Sequence, residues 1–183
     1  HLGAACDAIV AALPCQLILV VGEMGAGKSV LLDALSRRHV IESSHRTHFP
    51  TDRCVFDVLA DRLGGAELAT DRLTAVGLSS VPMWLQPFAA LSNGQQDRCQ
   101  LAADLASGTG IDGFGATVEG HTRLVLAVGV SRIVRREGLQ RVIVTATDPT
   151  VCQTLQPDVA ILLGHDSFEL RPNPVAGGRR PEV

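Results

Sequence analysis

The chain has no tyrosine, one tryptophan, five phenylalanines and a single lysine, Lys28, so its other basic residues are all arginines. Basic charge is not in excess either: 16 Lys+Arg face 19 Asp+Glu, a formal net charge of -3. That balance gives no direct nucleic-acid signal and argues against bulk binding to an anionic membrane. The five cysteines, Cys6, Cys15, Cys54, Cys99 and Cys152, are odd in number and widely spaced, with no CxxC and no His/Cys cluster. They read as reduced core fillers of a cytoplasmic protein rather than a disulfide framework or a zinc site. No stretch approaches the roughly 20 apolar residues that a spanning helix needs. The apolar first twenty residues are broken by Asp7 and Pro14 and lack a basic leader, which argues against a signal peptide. At 46% hydrophobic and 19% charged, the 183 residues fit one globular domain rather than a disordered chain.

What is present alternates between strand and helix patterns. Leu2 to Leu13 has apolar spacing for a short helix stopped by Pro14. Gln16 to Val21 is a β-branched run of the kind buried on both faces, and Ser29 to Arg38 follows with helical spacing. From about 50 to 92 the texture changes. Helical patterns at Val55–Leu63 and Glu67–Ala75 lead into an irregular stretch from Ser79 to Pro87, predicting a small helical insertion. Gln95–Ala106 is predicted helical, as is Thr122–Arg136. Gln140–Thr145 reads as a buried strand, Pro149–Leu155 as a short helix, and Asp158–Leu163 as a last strand. These assignments predict an α/β domain with a mostly parallel sheet over residues 1–165. Residues 166–183 are expected to hold a terminal strand remnant and a Pro/Gly-rich disordered tail from Arg171 onward.

The most informative eight residues are Gly22-Glu23-Met24-Gly25-Ala26-Gly27-Lys28-Ser29, which fit GxxxxGK[ST] between a strand and a helix. Glycines let such a loop curl until successive backbone N–H groups point inward at phosphate oxygens. The helix beginning near Lys28 aims its positive end at the same place. Lys28 supplies a point charge for the β- and γ-phosphates, and Ser29 a hydroxyl for Mg2+. ATP with Mg2+ is the expected cofactor.

A second segment, Leu91-Ser92-Asn93-Gly94-Gln95, opens the Gln95–Ala106 helix. Alone it is an N-cap with a turn. Beside the phosphate loop it resembles the LSGGQ signature of ABC-class ATPases, with Asn93 where the first glycine usually stands. The resemblance runs over about residues 16–165. It makes Asp112, after Ile111, the Walker B aspartate that joins Ser29 on the metal, and Lys28 with Asp112 the catalytic pair. It implies a homodimer in which Ser92, Asn93, Gly94 and Gln95 of one subunit close over ATP held on the other's phosphate loop. A partner domain or membrane subunit would lie on another chain. More narrowly, the Gly77–Gln95 region and Leu155-Gln156-Pro157-Asp158 look like soluble ABC-type ATPases, some of them linked to acetyltransferase-like domains.

Departures from that pattern fall on hydrolysis. Gly113 stands where the catalytic glutamate belongs, and a positioned general base contributes about 10²–10⁴ in rate. Thr147 or Asp148 occupies the switch-histidine place. The Q-loop segment His45-Arg46-Thr47-His48-Phe49-Pro50 has no glutamine, and Glu119 replaces the D-loop aspartate. Only Ile111 in Gly108-Thr109-Gly110-Ile111 is a strand former. No aromatic precedes Gly22 to stack on adenine. The leading expectation is therefore a domain that binds Mg-ATP and dimerises around it with weak or absent turnover, in which glutamate at 113 should raise the rate. Two alternatives stay open: an ATP-hydrolysing subunit energising a transporter or DNA-linked process, and a P-loop kinase or NTPase with Asp148 on the metal. Arg132, Arg135, Arg136 and Arg141 read as a solvated face, and Trp84 as a packing anchor. His39, His45, His48 and His121 show no metal-ligand spacing.

Overall fold

The computed structural model describes residues 1–42 and 46–172. Helix α1 (Leu2–Ala11) precedes strand β1 (Leu17–Gly22), which leads through a tight loop into α2 (Lys28–Arg37). The insertion then folds as α3 (Val55–Leu63), α4 (Ala66–Ala75), the short α5 (Val81–Trp84) and a 3₁₀ turn at Phe88–Ala90. After it come α6 (Asn93–Asp104), β2 (Gly110–Ile111), α7 (Gly120–Arg136), β3 (Val142–Ala146), α8 (Val151–Leu155), β4 (Val159–Leu163) and β5 (Phe168–Pro172).

The sheet order is β2-β3-β1-β4-β5, with every pairing parallel except the antiparallel β4–β5 edge. β1 is central, and its period-2 alternation serves two cores. Leu17, Leu19 and Val21 face the layer of α3, α4, α6, α7 and α8, while Ile18 and Val20 face α1 and α2. Because β1, β2 and β3 run parallel, Gly22, Ile111 and Ala146 all end at one carboxyl edge, where α/β sheets place ligands. β2 is only two residues long, in keeping with its glycine-rich sequence. Its neighbourhood is extended by a single parallel bridge from Glu42 to Thr109.

Polar staples hold the layers. Asp158 accepts from the Gln16 and Leu17 amides at 2.8 and 2.9 Å and pairs with Arg135 at 2.7 Å, tying the start of β1 to β4 and α7. Arg135 is thus an inward structural partner, not part of a solvated face as the sequence predicted. Burial pushes the Asp158 carboxyl up, and Arg135 with the two amides outweighs it, holding it below the usual range. Arg72, 5% exposed, pairs with Glu137 and donates to the carbonyls of Ala102 and Leu105, satisfying the end of α6. Trp84 anchors the insertion, stacking on Phe56 and donating Nε1–H to the Leu78 carbonyl at 2.6 Å.

The chain end differs from expectation at its beginning. Arg171 and Pro172 lie in β5 and pair with Ala160 and Val159, because an edge strand tolerates proline where no donor is needed. Residues 173–183, the rest of the expected tail, lie outside the described residues. Among the described residues no helix is long and apolar enough to cross a membrane. Two of the five cysteines, Cys6 and Cys99, are fully core; the other three are half-buried, and all are free thiols.

Candidate nucleotide-binding site

The loop from Gly22 to Ser29 closes on itself at the end of β1. Gly22 is pressed against β4: a β-carbon there would lie 2.5 Å from the Leu163 carbonyl oxygen, so no side chain fits. Gly25 and Gly27 take positive φ of 85° and 93°, which an L side chain rarely adopts, and Gly27 is the N-cap of α2. Lys28 lies across the loop, its Nζ donating to the Gly22 and Glu23 carbonyls at 2.7 Å each. Ala26 is buried, whereas Glu23, Met24, Gly25 and Ser29 are exposed. The result is a loop wound about one ammonium, with the exposed Ser29 hydroxyl in the first turn of the helix that follows.

Two strands away, Asp112 and Gly113 follow β2, with β3 lying between them and β1. The exposed Asp112 carboxylate accepts the Thr145 hydroxyl proton at 2.7 Å. Thr145 Oγ1 in turn accepts from the Gly113 amide at 3.0 Å. Thr145 is fully buried in β3, so its hydroxyl is spent on orienting Asp112 and the next amide. Gly113 has φ 63°, a left-handed conformation that a glutamate would enter at a cost of about 1–2 kcal/mol. A glutamate at 113 would have to take up that backbone before it could act as a base.

Arg123, which the sequence reading passed over, clamps the loop that follows. Its Nε and Nη2 donate to the Gly115 and Val118 carbonyls at 3.1 and 3.3 Å, and its Nη1 to Asp148 at 2.9 Å. Asp148 also accepts from the Thr150 hydroxyl and amide. These Thr150 bonds, with Arg123 beside them, hold its carboxyl below the usual range. A carboxylate so engaged is a turn-former, which weighs against its serving as the metal acid. Thr147 and Glu119 are exposed.

The signature segment forms the first turn of α6, two residues earlier than the sequence predicted. Ser92 is the N-cap, and its amide donates to Gln95 Oε1 at 2.9 Å, the reach-back half of a capping box. The Gln95 side chain is thereby used within its own turn. Asn93 and Gly94 are helical, and Gly94 faces the Thr117 carbonyl and Val118 of the loop before α7, where a β-carbon would make ordinary contact at 3.4 and 3.7 Å. Arg98 and Gln96 fasten this end to the insertion through Gly77, Phe88 and Leu91 carbonyls. Among the described residues no hydrogen bond joins Ser92–Gln95 to the phosphate loop. A cavity of about 360 Å³ lies between α6 and the Asp112–Val118 loop, with Arg46 of the Q-loop segment on its wall. His45 lies outside the described residues.

No protein-family model and no curated protein matches this chain. Solved structures do. A dimeric bacterial ABC transporter cassette superposes with TM-score 0.57 at 16% identity, covering 84% of this chain and 84% of that one. A metal-chelate type ABC transporter in an inward-facing conformation gives 0.55 at 16%, covering 86% of this chain and 72% of that one. A dimeric cassette in a post-hydrolysis state, bound to ADP and Pi, gives 0.54 at 14%, with 84% of each covered. The chain therefore has the fold of the ABC-class P-loop ATPase cassette.

Proposed function

We propose that this chain is an ABC-type ATP-binding domain that binds Mg-ATP, dimerises head-to-tail around it, and turns it over weakly or not at all. The observation that carries the reading is a contrast at one sheet edge: an intact GxxxxGKS loop beside an Asp112 followed by a left-handed Gly113. Residues 1–165 form the nucleotide-binding domain, with the helical insertion at about 50–92 setting the signature. Gly22, Glu23, Met24, Gly25, Ala26 and Gly27 wrap the phosphates and Lys28 neutralises them.

The donor set fits Mg2+, a hard cation that takes few protein ligands: an exposed Ser29 hydroxyl and an exposed Asp112 carboxylate. Ser29 and Asp112 would hold the ion, which would supply positive charge against the phosphates. Ser92, Asn93 and Gly94 of a second copy would present a helix N-terminus to the γ-phosphate. Their lack of bonds to the loop of the same chain supports closure between chains. Gln95 would act through the cap it makes rather than by touching ATP.

The dimer of a similar cassette supports the homodimer, and the similar transporter supports a transporter's membrane subunit as a further partner; a cytoplasmic setting is part of the same proposal. Loss of the base makes ATP a clamp between protomers or partners rather than fuel. Light scattering during a Mg-ATP titration tests this. A monomer-to-dimer shift with phosphate release far below about 1 s⁻¹ is expected. Absence of any dimer at millimolar Mg-ATP sinks the dimer, and turnover at or above that rate sinks the clamp.

A further inference from the structure

The chain has very few aromatic rings, and the structure shows where each described one is spent. Phe49 stacks on Phe88 at 4.3 Å, Phe56 stacks on Trp84 at 6.0 Å, Phe114 is 5% exposed, and Phe168 packs on the α1/α2 core. None of them stands at the phosphate loop. One flat ring does. β4 runs beside β1 with Leu163 opposite Gly22, and the turn after it is closed by the Gly164 amide donating to the Ser167 carbonyl at 2.9 Å. That turn holds His165 against the loop, where a β-carbon on Gly25 would lie 3.9 Å from its Cε1. His165 is exposed, and no hydrogen bond among the described residues engages its imidazole.

At Gly27 the loop is covered by an apolar side chain instead. Leu2 of α1 packs over Gly27, both its methyl carbons 3.3 Å from where a β-carbon would be. Within the loop the phosphates already have backbone donors, Lys28 and a helix N-terminus. What they lack is a surface for the uncharged part of the nucleotide as it leaves the loop. We infer that His165 supplies that surface, its ring packing against the base or ribose of the nucleotide held by Gly22–Ser29. An aromatic face accepts any base, so the contact adds affinity for a nucleoside without selecting adenine strongly. This rests on the proposed phosphate site and assigns its nucleoside-facing residue, one the signature and loop motifs do not name.

Calorimetry of the full chain with Mg-ATP and, separately, magnesium tripolyphosphate tests it on His165→Ala, His165→Phe and Lys28→Ala. Stacking of a base on a ring is commonly worth enough to change Kd by about ten-fold. His165→Ala is expected to weaken ATP by about that factor and leave tripolyphosphate within about two-fold, with His165→Phe restoring ATP. Unchanged ATP binding in His165→Ala overturns the inference, and so does an equal loss for ATP and tripolyphosphate. Lys28→Ala separates the parent reading: if it binds both ligands as well as the unaltered chain does, the phosphate site itself is wrong and His165 falls with it.

Discussion

At the end of β1 the chain keeps eight residues in the order phosphate binding requires, and two left-handed glycines, a buried alanine and a lysine bridged to two carbonyls hold the loop. At the end of β2, two strands away, the strand is two residues long and the residue after Asp112 has no side chain. Yet the second region is not loose. Thr145 fixes Asp112, Arg123 ties down the following loop at Gly115, Val118 and Asp148, and Phe114 is buried with its amide on the Thr145 carbonyl. On the proposed reading, the end of β2 holds no side chain at 113 to activate water, while Thr145 still aims the Asp112 carboxylate proposed for the metal. Lys28 being the only lysine sharpens the point, since a compact ammonium suits a phosphate ring better than a broad guanidinium.

Four substitutions press on that contrast. Lys28→Ala acts on the binding side alone and is expected to weaken Mg-ATP by about 100-fold in calorimetry, with the melting temperature held, since Nζ bonds only to loop carbonyls. Asp158→Asn is the control at the far end of the sheet, loosening both regions without touching either. It should lower stability near neutral pH by about 1–2 kcal/mol in urea unfolding. The folded carboxyl lies below its ordinary value, so its contribution is present above the unfolded value near about 3.9 and fades as pH falls through the folded one. The gap between Asp158→Asn and the unaltered chain should therefore close in acid.

Gly113→Glu tests the hydrolysis side. A loss of about 1–2 kcal/mol in unfolding is expected, with phosphate release still slow, because the left-handed backbone does not aim the new carboxylate. A large rate gain would show that the missing base was the whole defect. Thr145→Val, close in size, removes the hydroxyl that holds Asp112. It should weaken Mg-ATP by about three- to ten-fold while leaving Mg-free ATP unchanged, and Thr145→Ser should recover the difference.

Much of this was legible in the sequence, for physical reasons that differ by element. Helix α3 matches the spacing of its apolar residues at both ends, and β1, β3 and β4 announce themselves as β-branched runs, because burial on both faces leaves no room for polar positions. Thr145 was the one polar residue in such a run, a signal of its role that spacing alone did not decode. Arg123 and Arg135 were harder, since an arginine on a helix reads the same whether it meets water or a carboxylate 25 or 23 residues away. Only the end of the expected terminal strand was hidden, at Arg171 and Pro172, whose composition looks like a tail although an edge strand accepts both. His165 carried no local signal at all, because only the pairing of β4 with β1 brings it to the loop.

Binding without turnover is open to one decisive assay: oligomeric state and phosphate release followed in one sample of the full chain with saturating Mg-ATP. A dimer that persists while free phosphate accumulates far more slowly than about 1 s⁻¹ per protomer is expected. Release at that rate or faster, with the dimer dissolving as ATP is consumed, would contradict it.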